Sequence, residues 1–450
     1  MNISLLIWFY FSISLIYCEN IITIPFESKL CKSNEKDDFL MNYYAQFLYT
    51  PISIGSEKQK LEVALKLNKY ITYLISSKNS NLKSEHFNEG NSKTYEVVSE
   101  KTIKPNEDMF IEGIKSKDNF IFGEKINYEK YLFYLSKEQY FDETGQIGLQ
   151  MIPSFSDKDF SGNGFIDQLK SKSIINSKNF YFKYEYKDEK EFKYKGNLII
   201  GGMPHEVEPS KIFNFENFVQ TYVNVDELNS KWNIKLSSVN YGNDIISESD
   251  SAEFSTTFGF IVAPVSFLKI YEIFFNNSNC FGDYNNEDKD YLYLYCKKNF
   301  DISKFKDLIF IADKNKEFNF TLTYKDLFRK FGEYYYFLIL FNKDISQWEF
   351  GHIFLKKYML VFNGDKKTVG YYYQSTDSGN NNNNKMPSRS NIVFIFITIS
   401  VVLLIIIVGL LFYIIVFRPK NRKIRPNELK ESFDYSPAQE DKDPDNQLGV

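Results

Sequence analysis

The stretch Trp348-Glu349-Phe350-Gly351, followed by Phe354, Tyr358, Val361-Phe362-Asn363 and Val369-Gly370-Tyr371, decides how the rest of the chain is read. Short aromatic and β-branched runs, broken by Gly, Asn and Asp, are the pattern of strands joined by tight turns. The same pattern extends back to about residue 42, through Ile52-Ser53-Ile54, Phe120-Ile121-Phe122, Tyr181-Phe182-Lys183-Tyr184, Asn197-Leu198-Ile199-Ile200 and Leu308-Ile309-Phe310-Ile311. Gly164 to Lys172 and Val265 to Phe275 are the best segments for the 3.6-residue period of a helix. Residues 42–373 therefore read as a mainly-β body, too large for one small sandwich. No short-period repeat of the solenoid kind runs through it.

Composition narrows the function classes. The chain has 450 residues, 54 Lys and Arg against 58 Asp and Glu, and a formal net charge of −4. That balance gives no support for a nucleic-acid binder, which shows a basic face. A hydrophobic content of 43% excludes wholesale disorder. Four cysteines and three histidines are too few for a zinc-finger array or an iron–sulfur protein, and no cofactor or metal motif is present.

The two ends place the protein in a membrane. Leu5 to Tyr17 is an apolar run of signal-peptide length, so residues 1–18 are expected to be a signal peptide, with a leader over 19–41. Ile392 to Phe417 carries no charge; as a helix it would be about 39 Å long, against a ~30 Å hydrocarbon core. A transmembrane helix is thus expected over 391–417, behind a flexible Asn-rich stalk at 374–390. Arg418, Lys420, Arg422, Lys423 and Arg425 follow at once and keep the tail, 418–450, cytoplasmic. The chain reads as a single-pass type I protein, its ectodomain extracellular or in a secretory or endolysosomal lumen. That side permits disulfides. Of Cys31, Cys280 and Cys296, the last two are the favoured pair, leaving Cys31 as the odd one. Asn276 and Asn319 head glycosylation sequons.

Several stretches, in order, resemble the pepsin-like aspartic proteases. They are Tyr43-Tyr44-Ala45 with Ile52-Ser53-Ile54-Gly55 and Gln59; Ser92-Lys93-Thr94-Tyr95; Gly145-Gln146-Ile147-Gly148-Leu149; and Phe165-Ile166-Asp167-Gln168-Leu169. Gly196-Asn197-Leu198-Ile199-Ile200-Gly201-Gly202, Lys231-Trp232-Asn233-Ile234 and the closing stretch from Trp348 to Tyr371 complete the set. The resemblance implies two β-rich lobes, 42–215 and 216–373, with a central cleft, and it places Cys280 and Cys296 at the family's second-lobe disulfide.

The family's chemistry is missing where the resemblance puts it. Such enzymes use two aspartates, each in Asp-Thr/Ser-Gly, close enough to share one proton: one activates water, the other polarises the carbonyl. Here the first triplet is Lys66-Leu67-Asn68 and the second Ser255-Thr256-Thr257. The flap Tyr falls near Asn106-Glu107-Asp108-Met109, where neither Tyr nor Gly stands. Asp377-Ser378-Gly379 lies in the stalk and Asp142-Glu143-Thr144-Gly145 overlaps a turn, so neither supplies a rigidly held carboxylate. His86, His205 and His352 are scattered and read as ordinary surface or loop histidines. The expectation is a non-catalytic, membrane-anchored pseudoprotease that binds peptide or protein in or around its cleft. Three alternatives stay open: an active aspartic endopeptidase with displaced motifs, a Ser-Lys hydrolase using Ser255 and Lys66, and a structural or adhesion surface protein.

Overall fold

The computed structural model describes residues 20–30, 46–78, 86–103, 113–123, 126–136, 145–151, 164–188, 193–210, 212–224, 231–284, 291–312 and 318–373. All fall in one compact unit, Met1–Ser375. The fold is mainly β. A 13-stranded sheet and an 11-stranded sheet account for the described strands, and every strand-like run quoted above lies in one of them.

Each sheet contains the same five-strand arrangement. In the first, Gln59–Lys66 pairs antiparallel with Gln46–Ile54 and parallel with Gly145–Gly148. The latter pairs antiparallel with Tyr73–Ile75, which runs parallel to Ile126–Ser136. In the second, Asp244–Phe254 pairs antiparallel with Asn233–Tyr241 and parallel with Trp348–Phe350. Trp348–Phe350 is antiparallel to Ile261–Pro264, which runs parallel to Ile339–Asn342. In both halves the strand that precedes the expected catalytic triplet is flanked by a strand ending beside a glycine. Both glycines are obligatory: a Cβ on Gly148 would lie 2.4 Å from the Tyr70 carbonyl carbon, and one on Gly351 2.0 Å from the Phe260 oxygen. No side chain fits at such distances.

Alternation fixes the faces of these strands. Phe254 and Phe350 are in register and fully buried, with ring centroids 5.7 Å apart. Phe350 stacks on Phe354 at 4.0 Å, and Phe310 meets Trp348 at 4.9 Å. The phenylalanine-rich composition is therefore largely core packing in edge-to-face and stacked pairs.

Three structural details depart from the sequence reading. Ile22–Leu30, inside the expected leader, is a strand that pairs with Lys193–Ile200 and with Gln46–Ile54; its Ile22, Ile24 and Phe26 are buried. The first sheet also takes in Phe218–Tyr222, Val361–Asn363 and Thr368–Tyr372, all from beyond residue 215, so the two sheets do not divide at the expected lobe boundary. Of the two expected helices, Phe165–Ser171 forms, whereas the second is a 3₁₀ turn, Val265–Leu268, followed by a π turn, Tyr271–Phe275.

Cys280 and Cys296 face each other across two antiparallel strands and form a disulfide, with Cα atoms 4.0 Å apart. Cys31 lies outside the described residues, as do 1–18 and 374–450. Among the described residues no helix is long and apolar enough to cross a membrane.

Candidate active site

The two expected triplets meet. Lys66 ends the strand Gln59–Lys66 in register with Gly148, and its carbonyl accepts from the Leu149 N–H at 2.8 Å. Ser255 follows directly on Asp244–Phe254, and its N–H donates to the Phe350 carbonyl at 3.0 Å. Thr256, the middle residue of the second triplet, is fully buried. Its hydroxyl donates to the Leu65 carbonyl at 2.6 Å and accepts from the Leu67 N–H at 3.1 Å, so it grips the residues on both sides of Lys66. A backbone bond from the Gln46 N–H to the Thr257 carbonyl, 3.2 Å, adds a second tie between the sheets.

Neither triplet carries a carboxylate. Lys66 is 6% exposed and Ser255 1% exposed. The Lys66 ammonium stands 3.4 Å above the centroid of the Phe47 ring, a cation–π contact in a desolvated place. The Ser255 hydroxyl accepts from the Thr257 N–H at 3.1 Å. The flap position near Asn106 lies outside the described residues; the flanking strands Glu96–Ile103 and Gly113–Phe122 pair antiparallel as a hairpin.

His352 belongs to this centre, which corrects its reading as a surface or loop residue. It opens the helix His352–Tyr358, is fully buried, and has its Nε2 2.7 Å from the Gln46 carbonyl and its Nδ1 3.0 Å from the Tyr184 hydroxyl. A carbonyl only accepts, so Nε2 carries the proton and Nδ1 accepts from Tyr184. Burial drives its pKa down to about 4, and the charge on Lys66 acts in the same direction. The ring is therefore neutral over most of the physiological range.

Two acidic residues were also missed. Glu253 and Glu349 lie side by side on parallel strands, one position before Phe254 and Phe350. Glu253 is 3% exposed and receives Lys231 at 3.2 Å and the Gln347 amide at 2.9 Å. Burial raises its pKa while Lys231 and Lys69 oppose the rise. Burial and the neighbouring Glu253 push Glu349 up to about 7.

Of the remaining candidates, Asn276 is exposed at the end of the π turn, and Asn319 is part-buried in the strand Asn319–Leu322. The Nδ1 of His205 lies 2.6 Å from the Tyr372 hydroxyl; His86 is part-buried, which lowers its pKa. Among the described residues no group of three or more His, Cys, Asp or Glu could hold a metal ion.

Comparison with known proteins agrees with the mainly-β, two-sheet fold. The eukaryotic aspartyl protease family profile matches residues 47–372, most of the chain, and the chain belongs to that family. No curated protein matches it.

Proposed function

We propose that this aspartyl protease family chain is a membrane-anchored pseudoprotease that holds peptide or protein in or around the cleft between its lobes without cutting it. The observation that carries the reading is the occupancy of the two loops. At the two positions that the motif resemblance gives to the family's proton-sharing carboxylates, the chain carries Lys66 and Ser255, both buried, the ammonium packed on Phe47. A single cation cannot be both general base and proton-sharing acid. Burial also speaks against a Ser-Lys hydrolase, since a nucleophile must meet a substrate carbonyl and Ser255 is 1% exposed. A bilobal β scaffold can still retain an extended chain by backbone hydrogen bonds. Membrane anchoring rests on the uncharged run Ile392 to Phe417 and the basic residues behind it.

The test is equilibrium binding of labelled extended peptides to the full-length protein, with mass spectrometry of the bound fraction. Saturable binding with the peptide recovered intact supports the reading. Cleaved peptide overturns the non-catalytic part of it, and absence of saturable binding favours a scaffold or adhesion role.

A further inference from the structure

Glu253 and Glu349 form the most unusual charged cluster among the described residues. The two are in-register neighbours on parallel strands, so their side chains leave the same face of the sheet. That face is opposite the one on which Phe254 and Phe350 enter the core. The lysines flank the pair unequally. Lys231 and the Gln347 amide both bind the Glu253 carboxylate, and Lys69, from the loop that follows Lys66 in the first sheet, acts on Glu253 electrostatically. Glu349 makes no ion pair within 4.0 Å among the described residues, though the charge on Lys231 reaches it and partly opposes the effect of burial and of Glu253. Its register partner on the other neighbouring strand is Val262, which carries no charge. A half-buried carboxylate beside a second, buried one holds its own charge less readily than one in water.

We propose that Glu253 and Glu349 are a proton-operated element at the lobe junction. With Glu349 protonated, the strands Asp244–Phe254 and Trp348–Phe350 and the flanking Lys231 and Lys69 keep the arrangement described. When the proton leaves, the two like charges drive Glu349 toward solvent or a lysine. Glu349 is pushed up to about 7 from an ordinary value of 4.5 by burial first and by the charge on Glu253 second. A carboxyl group raised in the folded state gives its full stabilisation below the unfolded value and loses it as pH rises through the folded one. The element therefore favours the folded arrangement in acid and relaxes it between about pH 4.5 and pH 7. It needs no ligand, so it stands or falls independently of the binding role.

The experiment is urea unfolding of the full-length chain at pH 5, 6, 7 and 8, followed by tryptophan fluorescence, comparing wild type with Glu349→Gln. Trp348 adjoins the pair and reports on it. Glutamine matches the protonated acid at every pH. The folding constant of Glu349→Gln relative to wild type should rise on the order of 100-fold from pH 5 to pH 8, a decade per pH unit for one proton. His352, which titrates in the opposite sense, is present in both chains and cancels in the ratio. A ratio that stays constant with pH overturns the proposal. Should Glu349→Gln not fold, Glu253→Gln carries the test, because removing the neighbouring charge must shrink the same pH step. An unchanged step in that variant would also overturn it.

Discussion

Replacing Thr256 by Val removes one hydroxyl from the join between the two triplets and leaves the shape almost unchanged. The hydroxyl makes two buried hydrogen bonds, 2.6 Å to the Leu65 carbonyl and 3.1 Å from the Leu67 N–H. Each is worth about 1 kcal/mol net, and an orphaned buried donor costs a further ~1–3 kcal/mol. The Leu67 N–H becomes that orphan: Leu67 is fully buried, and Thr256 is its hydrogen-bond partner. Thr256→Val should therefore destabilise the folded chain by about 2–4 kcal/mol. Thr256→Ser keeps the hydroxyl and should cost less than about 1.5 kcal/mol, the scale of a buried methyl group. Equilibrium urea unfolding gives both values from the shift in midpoint at constant slope. A loss below about 0.5 kcal/mol for Val, or equal losses for Val and Ser, would refute the claim that this hydroxyl ties the sheets together.

Three further outcomes are expected. Breaking the Cys280–Cys296 bridge by Cys280→Ser with Cys296→Ser should cost about 3 kcal/mol, since the bridge spans a sequence separation of 16; thiol titration of the denatured, unreduced chain should find neither cysteine free. His352, buried neutral with its pKa lowered to about 4, should contribute a stability loss of up to roughly 3 kcal/mol as pH falls from about 6.5 to 4, because the unfolded chain binds the proton first. His352→Gln should remove that limb from an acid-unfolding profile, and an unchanged limb would place its origin elsewhere. A tag at Val450 should be digested by external protease only after cells are permeabilised; digestion in intact cells would reverse the assigned orientation.

The fold was legible because several separated pieces each carried a local strand-and-turn signal in the right order. Gly148 and Gly351 stand where adjacent backbone leaves no room for a side chain, and the cysteine pair matched a cross-strand position. What the sequence withheld was mostly non-local. The alternation of Ile22, Ile24 and Phe26 marks a strand, yet nothing local says that it pairs with Lys193–Ile200. The return of Val361–Asn363 and Thr368–Tyr372 to the first sheet is likewise a matter of partners, which a period of two does not encode. The segment after Pro264 has apolar spacing that suits a helix, but its aromatic and β-branched residues settle into 3₁₀ and π turns against the core. At the sheet junction, the stretches that hold Lys66 and Ser255 were singled out by aligning short motifs, and they meet through Thr256. His352 and the Glu253–Glu349 pair could not be placed that way, because their roles depend on burial and on neighbours distant in sequence.

The two loops that meet at the sheet junction carry no carboxylate, and on the proposed function the chain does not cut peptide bonds. The direct measurement is incubation of the purified full-length protein with a diverse peptide pool from pH 3.5 to pH 7, with products identified by mass spectrometry. Parallel samples carry Lys66→Ala and Ser255→Ala. No cleavage above a no-protein control is expected in any sample at any pH. Cleavage that persists in both variants would contradict it by requiring a catalytic centre elsewhere, and cleavage lost in either variant would contradict it in favour of a working Ser-Lys pair.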